Sequence, residues 1–451
     1  MSEAYTHDIE MPLRDEDTEH SSQDSNSTPT SNGEVELEET NSEYSTQPYT
    51  EKTPSSQVGS FATIMNLLNS LLGAGILAVP NSMISCGLFP SLILLAAIAT
   101  ISYFSTAMEM KLQLELQSSG LDDLALKILG KAGQIILSIL TLAFCEVANL
   151  AYIIISGDTV ISWFNIAGID ISSLWRRAGM ILVYSIALPV CLSIPRSMKF
   201  LSYISTVALL LIILFVVAMI IKAAKEFPKT GIHKGVSWGK INFDVFFALS
   251  IYGLTFTLPI TTLPIVDNYV KSYKKRNMTA IVSSVVCYLL VIIPGIIGYL
   301  LFGTDTKDII LENFDNDDIL MIVVRAGFFF AVTFSYPCMC QQIFASFSQL
   351  IYKNNDFNSL NNMKRAIIHF VSHVIPIPIA MFFPQIKPVL GVGGALGGCI
   401  VGFSYPALLW YYHYRPQWKE MQFWLVWGLF AFGVVIAIVS ITISVMQIVK
   451  K

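Results

Sequence analysis

From residue 61 onward the chain repeats one pattern, apolar runs long enough to cross a bilayer separated by short polar joints. A helix needs about 20 apolar residues to span hydrocarbon. Eleven segments approach or exceed that length: 61–84, 88–110, 135–158, 178–195, 201–221, 244–268, 280–302, 318–349, 366–383, 388–412 and 423–448. No water reaches the backbone at that depth, so each segment must satisfy its own N–H and C=O groups, which selects the α-helix. The expected fold is an all-α polytopic membrane protein with eleven transmembrane helices over 60–451. Only 13% of residues are charged and 54% are hydrophobic, against roughly 25% charged in a soluble domain. The joint between the ninth and tenth segments is blurred by Pro376, Pro378, Pro384 and Pro388.

Residues 1–59 are different material. They carry fourteen Asp and Glu against Arg14 and Lys52, with Ser, Thr and Asn filling most of the rest. Such a stretch cannot bury enough apolar surface to offset chain entropy, and is expected to be a disordered, acidic, cytosolic tail. The rest of the chain carries 26 basic and 18 acidic residues, so the formal charge of −4 describes the tail and not the membrane body. Orientation follows Lys and Arg. With the N-terminus inside, cytoplasmic segments hold sixteen basic residues and opposite-side segments eleven; Lys271, Lys274, Lys275 and Arg276 fall inside, while the five Lys of 222–243 argue the other way. The basic cluster is thus explained by orientation, and no nucleic-acid partner is implied. The seven cysteines fall nearly all within spans, which disfavours a disulfide framework.

Two spans are interrupted near their midpoints. The first carries Gly73-Ala74-Gly75; the sixth carries Gly253-Leu254-Thr255, followed by Pro259 and Pro264. Unwound backbone at membrane depth survives only beside a cavity or a ligand. Matched interruptions in two halves of a membrane protein point to a transporter's binding site. A half-helix start offers free N–H groups and the positive end of a dipole to a carboxylate. The end of the preceding half offers free carbonyls to an ammonium or a cation. Gly73, Ala74 and Gly75 are therefore candidate substrate-binding residues, with Gly253, Thr255 and Thr257 as the facing wall. The alternative is that these glycines only let helices pack closely. For Gly391, Gly393, Gly394, Gly397 and Gly398 packing is the preferred reading.

The segment 66–77, Asn-Leu-Leu-Asn-Ser-Leu-Leu-Gly-Ala-Gly-Ile-Leu, resembles the first helix of the amino acid/auxin permease family, which includes vacuolar amino acid transporters and sodium-coupled neutral amino acid transporters. Residues 298–314 and 325–337 resemble its seventh-helix exit and eighth helix. The resemblance covers about residues 58–448. It implies a LeuT-like fold of two inverted five-helix repeats plus one helix, in which broken helices 1 and 6 are equivalent. It also implies secondary active transport of neutral amino acids by alternating access, coupled to H⁺ or Na⁺, as symport or antiport. The implied setting is a vacuolar or lysosomal membrane in preference to the plasma membrane. One departure stands on helix 6, where many members carry Cys-His ahead of Leu-Pro-Ile. Here Leu258-Pro259 occupies that place, so a mechanism needing that histidine does not transfer.

Asn66 and Asn69 lie one helical turn apart on the approach to the first break. In sodium-coupled relatives the second Asn and a hydroxyl on helix 8 are assigned to the cation. Those positions are Asn69, which is also a candidate substrate contact, with Thr333 or Ser335; the other reading of Asn69 is an interhelical hydrogen bond. Ionisable residues inside spans are functional candidates by default. Glu146 is expected either to neutralise Arg325 or to carry a coupling proton. Helix 5 has no Lys between Lys199 and Lys222, so it supplies no fixed ammonium to replace a bound cation. His369 and His373 read as interface histidines, and no metal site, organic cofactor or enzymatic motif emerges. The partners implied are an amino acid and the lipid bilayer. A cytosolic partner of the tail would suit a second reading, an amino-acid sensor signalling through that tail.

Overall fold

The computed structural model describes residues 59–449, apart from 72, 172, 195–198, 241, 268, 355 and 356, and omits the side chains of 199–206. The expectation of a disordered tail thus lies outside the described residues. The first span is a broken pair, α1a (Ser60–Leu71) and α1b (Gly75–Ser82), bent by 54°. Next come α2 (Leu88–Leu116), α3 (Leu121–Ile166), α4 (Leu174–Ser193) and α5 (Lys199–Thr230). The sixth span is α6a (Val245–Thr255) and α6b (Leu258–Asp267). The chain continues through α7 (Tyr273–Phe302), α8 (Ile319–Tyr352), α9 (Asn362–Phe382), α10 (Ile386–Tyr414) and α11 (Met421–Val449). Among the described residues this makes eleven spans, counting the bent pair as one.

Helix α1b packs on α6a and α1a on α6b, so the two interrupted spans lie side by side with their breaks adjacent. Helices α3 and α8 share the most extensive contact and close one side of the pair; α10 closes another. A Cβ at Gly394 would collide with the carbonyl of Ser250, and one at Gly398 with the backbone of Gly253. The α10 glycines are thus mainly a packing face that brings α10 onto the α6a backbone, an arrangement that needs small residues. Part of α10, Gly394–Ser404, is π-helical, as is Ile186–Val190 of α4 around Pro189.

Several helices run longer than expected, α2 and α3 with the largest consequence for the site. The polar stretch 111–134 is not a loop: α2 continues to Leu116, and α3 begins at Leu121. Gly130, at φ 71°, kinks α3 between a short first arm and the span proper, a backbone angle that other residues rarely adopt. The arm buries Leu121, Leu124 and Ala125 in an apolar cluster with Met110, Leu263 and Val266.

Helix α8 starts at a built cap. Asp318 Oδ1 accepts from the Leu320 and Met321 N–H groups at 3.1 and 3.3 Å, and its other oxygen pairs with Lys222, about two turns before the end of α5. Burial pushes this carboxyl up, but Lys222 and the two N–H groups outweigh it and hold it below its ordinary value. A depressed carboxyl contributes stability that is present above its unfolded-state pKa and is lost as pH falls through the folded one. Asp318→Ala should therefore cost about 1 kcal/mol. Thermal melts in detergent should show the deficit at neutral pH and its disappearance in acid.

Candidate functional site

The first break is short. Gly73 N–H reaches back to Leu71 O at 3.0 Å, and Leu77 N–H to Ala74 O at 3.2 Å. The second lies further along than the glycine suggests. Gly253 and Thr255 are still helical in the last turn of α6a, and the interruption is Phe256-Thr257. Pro259 explains the shift: it has no N–H for the Thr255 carbonyl and its ring would clash there, so the helix stops before it. Ser102 of α2 donates to the Phe256 carbonyl at 2.5 Å, satisfying an acceptor that the break orphans.

Between the breaks lies a small cavity of about 40 Å³. Its walls include Ser70, Gly73, Ala74 and Gly75 of the first span, and Leu254 and Thr257 of the sixth. Phe144, Val147, Ala148, Ala151 and Tyr152 of α3, Met339 of α8, and Val389, Leu390 and Gly393 of α10 complete it. Among the described residues that line it, none is Asp, Glu, Lys, Arg or His. The helix ends flanking the two breaks touch: a Cβ on Gly75 would stand 2.7 Å from Thr255 Oγ1 and 3.1 Å from Thr255 Cα. Ser70 accepts a hydrogen bond from Thr261 of α6b at 2.9 Å, tying the halves together on the other side.

The candidate residues separate into groups. Gly73, Ala74, Gly75 and Thr257 line the cavity. Thr255 sits behind Gly75 and donates to Ile251 O at 2.9 Å, while Gly253 abuts Gly398 and Cys399 of α10. Asn69 is half-buried in α1a and is not in the lining. No hydrogen bond among the described residues joins it to Thr333 or Ser335. Thr333 shares a hydrogen bond with the Tyr184 hydroxyl at 2.6 Å, and Ser335 donates to Ala331 O.

The expected Glu146–Arg325 pair does not form. Arg325 donates to Asn316 Oδ1 at 2.8 Å, to Leu311 O at 2.9 Å and to Phe314 O at 2.6 Å, so it organises the loop before α8. Glu146 lies on α3 outside the cavity lining, with Tyr336 and Cys340 of α8 in electrostatic reach, and among the described residues neither carboxyl oxygen has a hydrogen-bond partner. His373 is not an interface residue either. It is buried, 2.9 Å from the Tyr336 hydroxyl and 3.3 Å from Ser193 Oγ. No group of metal-ligating side chains occurs among the described residues.

Two contributions were missed. Tyr152 brings its hydroxyl over the first break, 3.3 Å from where a Gly73 Cβ would stand. The clue was the helical spacing of 144, 148, 151 and 152 on one face of α3. Glu109 is completely buried on α2, and the early end assumed for that helix concealed it.

The family described as "Transmembrane amino acid transporter protein" matches residues 57–447. The chain belongs to this family. It is accordingly an integral membrane amino acid transporter and not an enzyme. Among its relatives is the vacuolar amino acid transporter 5 of Schizosaccharomyces pombe, 23% identical over 415 residues, covering 87% of this chain and 96% of the relative. The amino acid transporter AVT6E of Arabidopsis thaliana is 22% identical over 374 residues, 78% of this chain and 75% of the relative. The putative sodium-coupled neutral amino acid transporter 10 of Xenopus laevis is 22% identical over 77% of this chain but only 34% of its own length. The crystal structure of MhsT in complex with L-phenylalanine shares the fold, with a TM-score of 0.54 at 14% identity, over 86% of this chain and 98% of that one. The expected LeuT-like architecture is thus the observed one.

Proposed function

We propose that the chain is a secondary active transporter of neutral amino acids that works by alternating access and is coupled to H⁺ or Na⁺. One observation carries this reading: the cavity joins two helix breaks to a wall without a charged side chain. Backbone N–H and C=O groups suit the carboxylate and ammonium common to all amino acids. Phe144, Val147, Ala148, Met339, Val389 and Leu390 would surround an uncharged side chain, whereas a charged one would be left unpaired at a large desolvation cost. The names of the S. pombe and A. thaliana relatives support amino acid cargo, and the former supports a vacuolar membrane.

Purified protein in liposomes should take up radiolabelled neutral amino acids and ignore lysine and glutamate. Asn69, with Thr333 or Ser335, is proposed to hold the cation if sodium is the coupling ion. Asn69→Ala should then raise the sodium concentration needed for half-maximal uptake more than it weakens the amino acid at saturating sodium. Preferential uptake of charged amino acids would sink the neutral-substrate reading. A flux indifferent to sodium would leave Asn69 a packing residue.

A further inference from the structure

Helix α2 runs across the break in span 6, packing on both α6a and α6b. Three of its side chains mark one face. Ser102 donates to Phe256 O at the break, and Gln113 donates to Leu263 O of α6b at 3.3 Å. Glu109 stands between them, seven residues after the first and four before the second. Those spacings put all three on one side of a helix. Glu109 therefore looks at the first turns of α6b, where Thr262 has its hydroxyl turned back to Leu258 O. It is completely buried, and neither carboxyl oxygen has a hydrogen-bond partner among the described residues.

The charged and titratable groups on the surrounding elements do not reach it. On α7, Arg276 is committed to Gln113 Oε1 at 2.9 Å and Val270 O at 3.0 Å, and among the described residues none of Tyr273, Lys274, Lys275, Cys287 and Tyr288 hydrogen-bonds to Glu109. Helix α6b offers Asp267, and α6a offers Tyr252. Tyr405 of α10 donates to Gly133 O, while His413 and Tyr414 meet Glu115. On α3, Asp122 faces Ser138, and Asp123 pairs with Lys127. On α2 itself Lys111 pairs with Glu115. An ionised carboxylate in such a place needs a counter-charge or a proton, and the described residues supply no counter-charge.

The geometry points to Glu109 as a proton-binding site that couples proton movement to rearrangement of α6b. In the conformation seen here α6b seals the carboxyl, and a proton keeps it neutral. When α6b swings about the Phe256-Thr257 break, Glu109 meets water and releases that proton. The group stores one proton per cycle and makes or breaks no other bond. This deepens the transport reading and rests on it, and it favours H⁺ over Na⁺ as the coupling ion.

The test uses the full chain in liposomes with an equimolar mixture of radiolabelled neutral amino acids. Counterflow exchange is measured without a pH gradient, and accumulation with one. Wild type should exchange and accumulate; Glu109→Gln, a stand-in for the protonated acid, should exchange at the wild-type rate and lose gradient-driven accumulation entirely. Glu109→Gln protein that still accumulates would overturn the proposal while leaving transport intact. So would wild type that exchanges but ignores the gradient, whereas absent exchange in wild type would remove the transport reading itself. If Glu109→Gln does not fold, wild type can be treated with a hydrophobic carbodiimide, which modifies protonated carboxyls. An adduct at Glu109, mapped by mass spectrometry and forming faster during substrate turnover, supports the site; its absence overturns it.

Discussion

Gly75→Val is expected to reduce amino acid uptake to background in a protein that still reaches the membrane. The first added atom is already in trouble, because a Cβ here stands 2.7 Å from Thr255 Oγ1, 3.1 Å from its Cα and 3.2 Å from its N. Two of those three atoms belong to the backbone of α6a and cannot rotate away. Valine adds two further methyl groups on a stiff side chain. The only relief is to part α1b from α6a, which widens the gap between the breaks where the substrate is proposed to bind. Overpacking of this kind typically costs 1–3 kcal/mol, roughly, in a well-packed core, and the site loses its geometry before the fold is lost. Gly73 provides the control. A Cβ there meets only the Tyr152 hydroxyl, at 3.3 Å, the tip of a side chain that can move a few tenths of an ångström. Gly73→Ala should retain much of the uptake. Normal transport by Gly75→Val protein would separate the first break from the translocation path.

The legibility of this chain follows the range of the interactions involved. Spans were readable because apolar length is a local property imposed by bilayer thickness. The first break was readable because Gly73-Ala74-Gly75 combines two helix-weakening residues with a resemblance at the same position. The second was displaced by a few residues, since Gly253 invites unwinding but is used to admit α10, and Pro259 sets the actual stop. Ends of helices were the weaker part. Polar residues between 111 and 134 resemble a loop, yet Leu121, Leu124 and Ala125 find an apolar cluster that only tertiary contact supplies. A span ending at residue 110 has Glu109 in its last turn, whereas the observed helix runs on to Leu116 and buries it. Side-chain partners were the least readable. Arg325 and Glu146 look complementary by sign and depth, but a guanidinium has five N–H donors, and a nearby loop of free acceptors satisfies more of them than one carboxylate could.

That loop makes Arg325→Met the substitution with the largest expected effect on stability. Leu311 O, Phe314 O and Asn316 Oδ1 converge on one guanidinium at 2.6–2.9 Å, and methionine leaves all three without it. Of these acceptors Leu311 O is buried, and stranding it costs about 1–3 kcal/mol, while Phe314 is half-buried and Asn316 exposed, so water can replace part of what they lose. The total should be about 2–3 kcal/mol, since hydrogen bonds to a charged donor are the stronger kind. The damage should spread to the start of α8, because the same loop delivers Asp318 to its cap and to Lys222. Denaturation in detergent should show a much lower Tm for Arg325→Met. Glu146→Gln should remain close to wild type, because no partner is lost when an oxygen without a hydrogen bond becomes an amide of the same shape. The double variant decides between these contacts and the charge pair that the sequence suggested. Separate environments predict additive effects, within a few tenths of a kcal/mol, roughly. If the two residues neutralised one another, Glu146→Gln alone would be strongly destabilising and adding Arg325→Met would cost little more.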